Sequence, residues 1–517
     1  MDRLNHYMVS GWFSAGKILY DCAKYIATKA GCLPCLPQKL LCCLPCTPKE
    51  VTRWWSSGAE YRFRCVRWYL TFIAGGFGMY EAYKLYWDLP KSLGFFVFVL
   101  SVYTIITVGS GLILKFPKED YPTVIVNKET AIIIPTHMSS DISLVLDRIL
   151  LHFPAENVFI ADNADSCFPP YDSTRIIAEE YGVNYSYYPI PCKTNAMVRT
   201  AEKIPEKFRF IMCLDDDTLL PETPFAINAQ LFTEDTAGIT YLLRVYEPEN
   251  LLQRVIQYEF LLLSWRSYFK SRWSTMKFLP GIIAVWRRNL FHEIYNQNPC
   301  RYTPTGKYLP FGEDGWSGYI ARKMGYTLKI DLTQMVYTRA PPKLCCGGLW
   351  GQGYGSSTVW KQRAMRWYRN YLRRLPMELW LLITYLPNGR RRWEKKAVFT
   401  LDWFYGLFLI LGSLSIPVVF AQVLIGKLEF WIYAVLHAAM YGSGVINGLW
   451  MRWYTLRGRE ELAPDYRVIF TFPFFTTWIG FARLWGSLGS LLYYTPCVIG
   501  NFKKPDSSVS VLPEEYL

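Results

Sequence analysis

Three consecutive carboxylates, Asp215-Asp216-Asp217, follow directly on the apolar run Phe208-Arg209-Phe210-Ile211-Met212-Cys213-Leu214. An apolar strand that runs into an acidic triplet places carboxylates at its carboxyl edge. Their oxygens are hard donors, suited to Mg²⁺ or Mn²⁺ holding a diphosphate. An acidic turn or helix start is the other role open to them, because Asp is common at N-caps. Three further positions bear on the choice. Asp162 lies just after an apolar run at 158–161, in Ala161-Asp162-Asn163-Ala164-Asp165-Ser166. It could accept hydrogen bonds from a nucleobase or ribose, or serve as a turn aspartate. Lys193, in Lys193-Thr194-Asn195, could meet a phosphate or be a solvated loop lysine. Gly312-Glu313-Asp314 precedes an amphipathic stretch at 316–324. A buried carboxylate there could be a general base for an attacking hydroxyl, or the pair could cap a helix.

These residues need a scaffold that gathers them. Apolar runs of strand length occur at 131–135, 158–161, 184–188 and 208–214, with helical stretches at 139–151 and 173–181 between the first three. Strands alternating with helices predict an α/β domain with a doubly wound, mostly parallel sheet. Such sheets bind ligands at the carboxyl ends of their strands.

The flanks are of a different kind. Stretches 92–114, 403–426 and 430–451 carry few or no charges and are long enough for a bilayer crossing of ~20 residues. Stretch 68–87 is weaker, with Glu81 and Lys84 near its end, and 468–501 is interrupted by Pro473 and Arg483. Arg62, Arg64 and Arg67 precede the first stretch, and Lys115 and Lys118 follow the second. Arg390, Arg391, Arg392, Lys395 and Lys396 precede the third; Arg452, Arg457, Arg459 and Arg467 follow the fourth. The positive-inside rule then puts the block from Lys115 to Lys396 in the cytosol, and the sequon Asn184-Tyr185-Ser186 stays unglycosylated.

Composition agrees. Hydrophobic residues make up 51%, aromatics 17% and charged residues only 19% of the chain, too apolar for a simple soluble enzyme. The net charge of +14 sits beside the apolar runs, so an anionic membrane surface and a polyanionic sugar nucleotide fit it better than nucleic acid. The fourteen cysteines do not form a secreted disulfide pattern, and a reduced, cytosol-facing main domain follows. Cys32, Cys35, Cys42, Cys43 and Cys46 crowd into a Leu/Pro-rich stretch that suits S-acylation better than zinc. His137 is the one histidine placed near the first strand, and the glycines at 347–355 read as a hinge rather than a phosphate loop.

The order Ile134-Pro135-Thr136, Asp162, Lys193, Asp215-Asp216-Asp217, Gly281 to Arg287, Gly312-Glu313-Asp314 and Arg363-Ala364-Met365-Arg366-Trp367 resembles the processive family-2 membrane glycosyltransferases. These include hyaluronan, chitin and cellulose synthases, and the chain looks closest to the fungal-type branch of hyaluronan-synthase-like enzymes. The resemblance implies a GT-A-like cytosolic domain embedded between transmembrane helices, at 116–358. Around it would lie a Cys-rich segment at 1–64, two spans at 65–115, interfacial helices with the motif at 359–396, three or more spans or re-entrant helices at 397–501, and a tail at 502–517. It further implies Asp162 on the uridine, Lys193 on the ribose-phosphate side, and Asp215 and Asp217 as the D-x-D pair on Mg²⁺ or Mn²⁺. Asp217 would be the stronger metal ligand and Asp314 the catalytic base. Arg363, Arg366 and Trp367 would stand at the acceptor and diphosphate end. The expected reaction is inverting transfer from a UDP-sugar to a growing β-linked polysaccharide, exported through the enzyme's own helices, in a multi-pass plasma-membrane protein. Two departures stand out. Arg363 takes the place of the usual Gln, as in ceramide-glucosyltransferase-like relatives, and Gly312 the place of the usual Thr. The first leaves open a single-transfer enzyme that glycosylates a lipid acceptor. A membrane transporter or scaffold without catalysis is a third possibility, and it releases no UDP.

Overall fold

The computed structural model describes residues 115–493, apart from 119–120, 137–141, 164–171, 190–191, 299, 301–311, 346–357, 385–391 and 427–429. The stretches expected to span at 68–87 and 92–114, the cysteine group at 32–46, His137 and the glycine-rich 347–355 lie outside the described residues.

Eight strands form one sheet in the order β3-β2-β1-β4-β7-β6-β8-β5. They are β1 (Thr130–Thr136), β2 (Val158–Asn163), β3 (Asn184–Tyr188), β4 (Phe210–Leu214), β5 (Thr218–Leu219), β6 (Thr236–Val245), β7 (Ile283–Arg287) and β8 (Thr327–Thr338). β1 carries Ala131-Ile132-Ile133-Ile134, all with no exposed surface. A β-branched run buried on both faces belongs at the centre of a parallel sheet, and each such isoleucine contributes about 1.5–3 kcal/mol by burial. β2 and β4 flank β1 in parallel, and β3 continues parallel to β2. The expected parallel half is therefore present.

The other half is mixed. β7 runs antiparallel between β4 and β6, β8 runs parallel to β6, and the short β5 closes the edge antiparallel to β8. The whole is a mixed, mostly parallel sheet. Because β7 is reversed, its start lies at the carboxyl end of β4, where Asp215 N donates to Ile282 O at 3.0 Å.

The helices are α1 (Ile142–Leu150), α2 (Asp172–Glu180), α3 (Lys193–Lys203), α4 (Leu251–Trp273), α5 (Arg288–Asn296), α6 (Glu313–Lys323), α7 (Tyr371–Thr384), α8 (Arg392–Leu424), α9 (Phe430–Trp450) and α10 (Tyr466–Tyr493). Among the described residues, 116–406 and 458–493 belong to one compact unit and 407–457 to another. In the second, α9 runs into a π-helical turn, Met451–Thr455, on which Trp450 packs against Tyr454.

The expected apolar stretches at 403–426 and 430–451 are helical, as most of α8 and as α9. Among the described residues one helix segment, Tyr466–Ser487 of α10, is long and apolar enough to cross a membrane. The interruption expected at Pro473 is absent: α10 continues through it, and the hydroxyls of Thr476 and Thr477 donate to Pro473 O at 2.8 and 3.1 Å. One face of α10 buries Ile469, Phe475, Ile479 and Ala482, while Phe470, Phe474, Phe481 and Trp485 stand exposed. Both faces of the helix therefore carry large apolar side chains.

Candidate active site

The strand order β3-β2-β1-β4 reverses between β1 and β4, and ligands of open α/β sheets sit in the crevice beyond the carboxyl ends at such a point. Asp215-Asp216-Asp217 leaves β4 there and turns back into β5, with Thr218 N donating to Asp215 O at 3.0 Å. From β1, Thr136 Oγ1 donates to Asp216 Oδ2 at 2.8 Å. The three acids are thus held by both strands of the switch point.

Lys193 comes to the same place. It is the first residue of α3, not a loop lysine, and Cys192 caps that helix by accepting from Asn195 N at 3.4 Å. Its ammonium is ion-paired to Asp215 Oδ1 and lies 3.4 Å from Glu313 Oε1. Burial works against the ammonium's charge, but Asp215, Glu313 and Asp216 outweigh it and hold its pKa well above the usual lysine range.

Glu313 and Asp314 open α6. Gly312 before them is left-handed, with φ 98°, a conformation a side chain would strain. The helix start is fixed by Asn298 Nδ2 and Ser317 Oγ, which donate to Glu313 O at 2.9 and 2.8 Å. Further along, a Cβ on Gly318 would stand 2.6 Å from the backbone of Lys277 and Phe278, so α6 lies directly on that chain. Gly281, on the approach to β7, completes the enclosure. A Cβ there would stand 3.2 Å from Glu313 Oε1, 3.9 Å from Lys193 Nζ and 4.0 Å from Asp314 Cβ.

Asp162 is fully buried at the end of β2, in register with Thr136 on β1 and Tyr187 on β3. Tyr185 donates its hydroxyl to Asp162 Oδ2 at 2.7 Å. Burial, then that carboxylate, raises the tyrosine's pKa, so the hydroxyl stays a donor. Asn184 of the sequon spends its side chain on Glu156 O and Val158 O, at 3.1 and 3.0 Å.

The chemistry of the acidic group fits a divalent cation. Asp217 is 7% exposed, and its Oδ2 is buried with no hydrogen-bond partner among the described residues. Burial, reinforced by Asp215 and Asp216, pushes its pKa well above the usual carboxylate value. A buried carboxylate oxygen beside two like charges is costly unless a cation reaches it. Among the described residues no group of three His, Cys, Asp or Glu side chains stands ready to enclose an ion.

The structure therefore brings Asp162, Lys193, Asp215, Asp217 and Asp314 to one edge of the sheet. It adds Thr136, Tyr185, Gly281 and Glu313 as their supports. Arg363 and Trp367 form a separate arrangement, and among the described residues no hydrogen bond or ion pair joins them to the acids. Arg363 is buried, pairs with Glu259 of α4 at 2.5 Å and lies over the Trp367 ring, 3.8 Å from its centroid. Arg363 thereby braces Trp367. The π-helical turn Lys361–Arg366 carries the motif; the Arg366 side chain is outside the described ones. A Cβ on Gly486 of α10 would stand 2.6 Å from Ala364 O and 2.9 Å from Tyr368 Cβ, so the apolar helix meets the motif backbone directly.

No family model and no curated protein matches the chain. Solved structures similar to parts of it include the glucosyl-3-phosphoglycerate synthase of Mycobacterium tuberculosis with Mn²⁺, UDP and phosphoglyceric acid. That overlay has 14% identity and a TM-score of 0.26, and covers 42% of this chain and 72% of that one. GalNAc-T7 with UDP, GalNAc and Mn²⁺ is 13% identical over 57% of this chain and 60% of its own, with a TM-score of 0.33. A mycobacterial protein is 12% identical over 52% and 81%, with a TM-score of 0.28.

Proposed function

We propose that the chain is a membrane-embedded, inverting, metal-dependent glycosyltransferase that moves a sugar from a UDP-sugar onto a growing β-linked polysaccharide. The observation that carries this reading is the meeting of the acidic triplet, with its partnerless buried Asp217 oxygen, Lys193 and Asp314 at the sheet's switch point. Asp215 and Asp217 would hold a Mg²⁺ or Mn²⁺, which would supply positive charge against a departing diphosphate. Lys193 adds its ammonium on the same side. Asp162, kept in place by Tyr185, receives the uridine at the end of β2. Asp314 takes the proton of an acceptor hydroxyl as it attacks the anomeric carbon from the opposite face. One displacement on an α-linked donor gives a β-glycoside, with no covalent intermediate.

The two apolar faces of α10 support a bilayer around it, with the inner face on the motif turn. Arg363 at the head of that motif supports a second reading, transfer of one sugar to a lipid. Both are tested by UDP release from the purified chain over a panel of UDP-sugars with Mn²⁺ or Mg²⁺, followed by sizing of the product. A long glycan is expected, and an organic-soluble product assigns lipid glycosylation instead. No UDP release with any donor overturns the enzyme reading.

A further inference from the structure

The reaction above gives no role to Glu313, although the start of α6 sets it beside Lys193. The Glu313 carbonyl is fixed by Asn298 and Ser317, and its Oε2 accepts from Gly312 N at 3.2 Å. That leaves Oε1 toward Lys193 at 3.4 Å, across a gap kept open by Gly281. Lys193 meanwhile rests on Asp215, one of the two proposed cation ligands. An ammonium and a divalent ion cannot both be close partners of one carboxylate without strong mutual repulsion.

We propose that Glu313 is a positioning residue for Lys193: when a divalent cation takes Asp215, the ammonium passes to Glu313 and stays beside the diphosphate. This rests on the cation reading of Asp215 and Asp217. A lysine stem is flexible and its head strongly hydrated, so without a second carboxylate the displaced ammonium would swing into water. Glu313 is already within 3.4 Å, so the transfer needs only a small shift of the head. Lys193 is then a competitor of the cation before nucleotide arrives and a partner of the phosphates afterwards. Glu313 weakens the competition and keeps the partnership.

The test measures Mn²⁺ binding to the full-length purified chain without nucleotide, by the electron paramagnetic resonance signal of free Mn²⁺. It then measures UDP binding at saturating Mn²⁺ by calorimetry. Lys193→Met raises nucleotide-free Mn²⁺ affinity and lowers UDP affinity, each by about tenfold, the size of a charge-assisted contact. Glu313→Gln lowers both. The double variant Lys193→Met/Glu313→Gln binds Mn²⁺ as Lys193→Met does, because Glu313 acts through the lysine. A merely structural role does not reverse the sign of the Mn²⁺ effect between the two substitutions. Glu313→Gln lowering Mn²⁺ affinity equally in both backgrounds overturns the proposal, as does Lys193→Met lowering it. Wild-type protein that binds neither Mn²⁺ nor UDP instead removes the cation reading itself.

Discussion

Asp217→Asn is the most informative single change. It keeps the shape of the side chain and removes one of three adjacent negative charges. Asp217 is buried, its Oδ2 has no hydrogen-bond partner, and Asp215 and Asp216 add to the effect of burial in raising its pKa. Leaving a buried polar group unsatisfied costs about 1–3 kcal/mol, more when it is charged. Asn leaves a polar group there but no charge, so only the part of that cost due to the charge is relieved, and the cation-free protein is expected to gain about 1 kcal/mol, or about 2–4 °C in midpoint. The sign with pH follows from the raised pKa. Between the ordinary carboxylate value and the raised one, the folded state binds more protons than the unfolded state. Stability of the wild type thus falls as pH rises through that window. The Asn variant has a flatter profile. Turnover moves the other way. Losing a cation ligand removes several kcal/mol of charge stabilisation, at least about 10²-fold in rate at 1.36 kcal/mol per tenfold. The assay pairs thermal unfolding in chelator, from pH 4 to 8, with UDP release in Mn²⁺. A lower midpoint in chelator, or unchanged Mn²⁺-dependent turnover, refutes the reasoning.

Four more outcomes are expected. Asp314→Asn lowers transfer by about 10²–10⁴-fold, the usual worth of a general base, while calorimetry finds UDP binding intact. Tyr185→Phe removes a donor that holds Asp162 and weakens UDP binding by about 0.5–1.5 kcal/mol, the worth of one hydrogen bond. Arg322 of α6 is fully buried against Glu378 of α7 at 2.6 Å and Asp402 of α8 at 3.5 Å. Arg322→Met should destabilise by about 3–5 kcal/mol, and adding Glu378→Gln should recover part of it in thermal unfolding. Gly486→Ala forces a methyl against Ala364 O. It should cost about 1–3 kcal/mol as overpacking and lower transfer while Mn²⁺ binding is kept.

The parallel half of the sheet was legible because its strands are short apolar runs ended by polar residues, and β3 falls at the expected 184–188. The acidic triplet was legible for the same reason: it follows β4 directly. The antiparallel half was not read, although β8, Thr-Leu-Lys-Ile-Asp-Leu-Thr-Gln-Met-Val-Tyr-Thr, alternates through much of its length. β7 is only five residues long, and its reversed direction depends on the neighbours it slots between. Lys193 looked like a loop lysine because its helix is capped by a cysteine, Cys192, rather than by Ser, Thr, Asp or Asn. Arg363 was placed near the diphosphate on the strength of its motif. Its partner Glu259 lies more than a hundred residues away, a contact no local pattern announces. The role of Tyr185 and the Arg322–Glu378–Asp402 group were missed likewise, since they arise only in the packed chain.

Calorimetric titration of UDP into the purified full-length chain, with Mn²⁺ and then with chelator, is the most direct check on the site. Binding that requires Mn²⁺ and disappears in Asp217→Asn is the predicted result. UDP binding of equal strength in chelator, or binding untouched by Asp217→Asn, would contradict the claim that these residues gather around a cation-bound diphosphate.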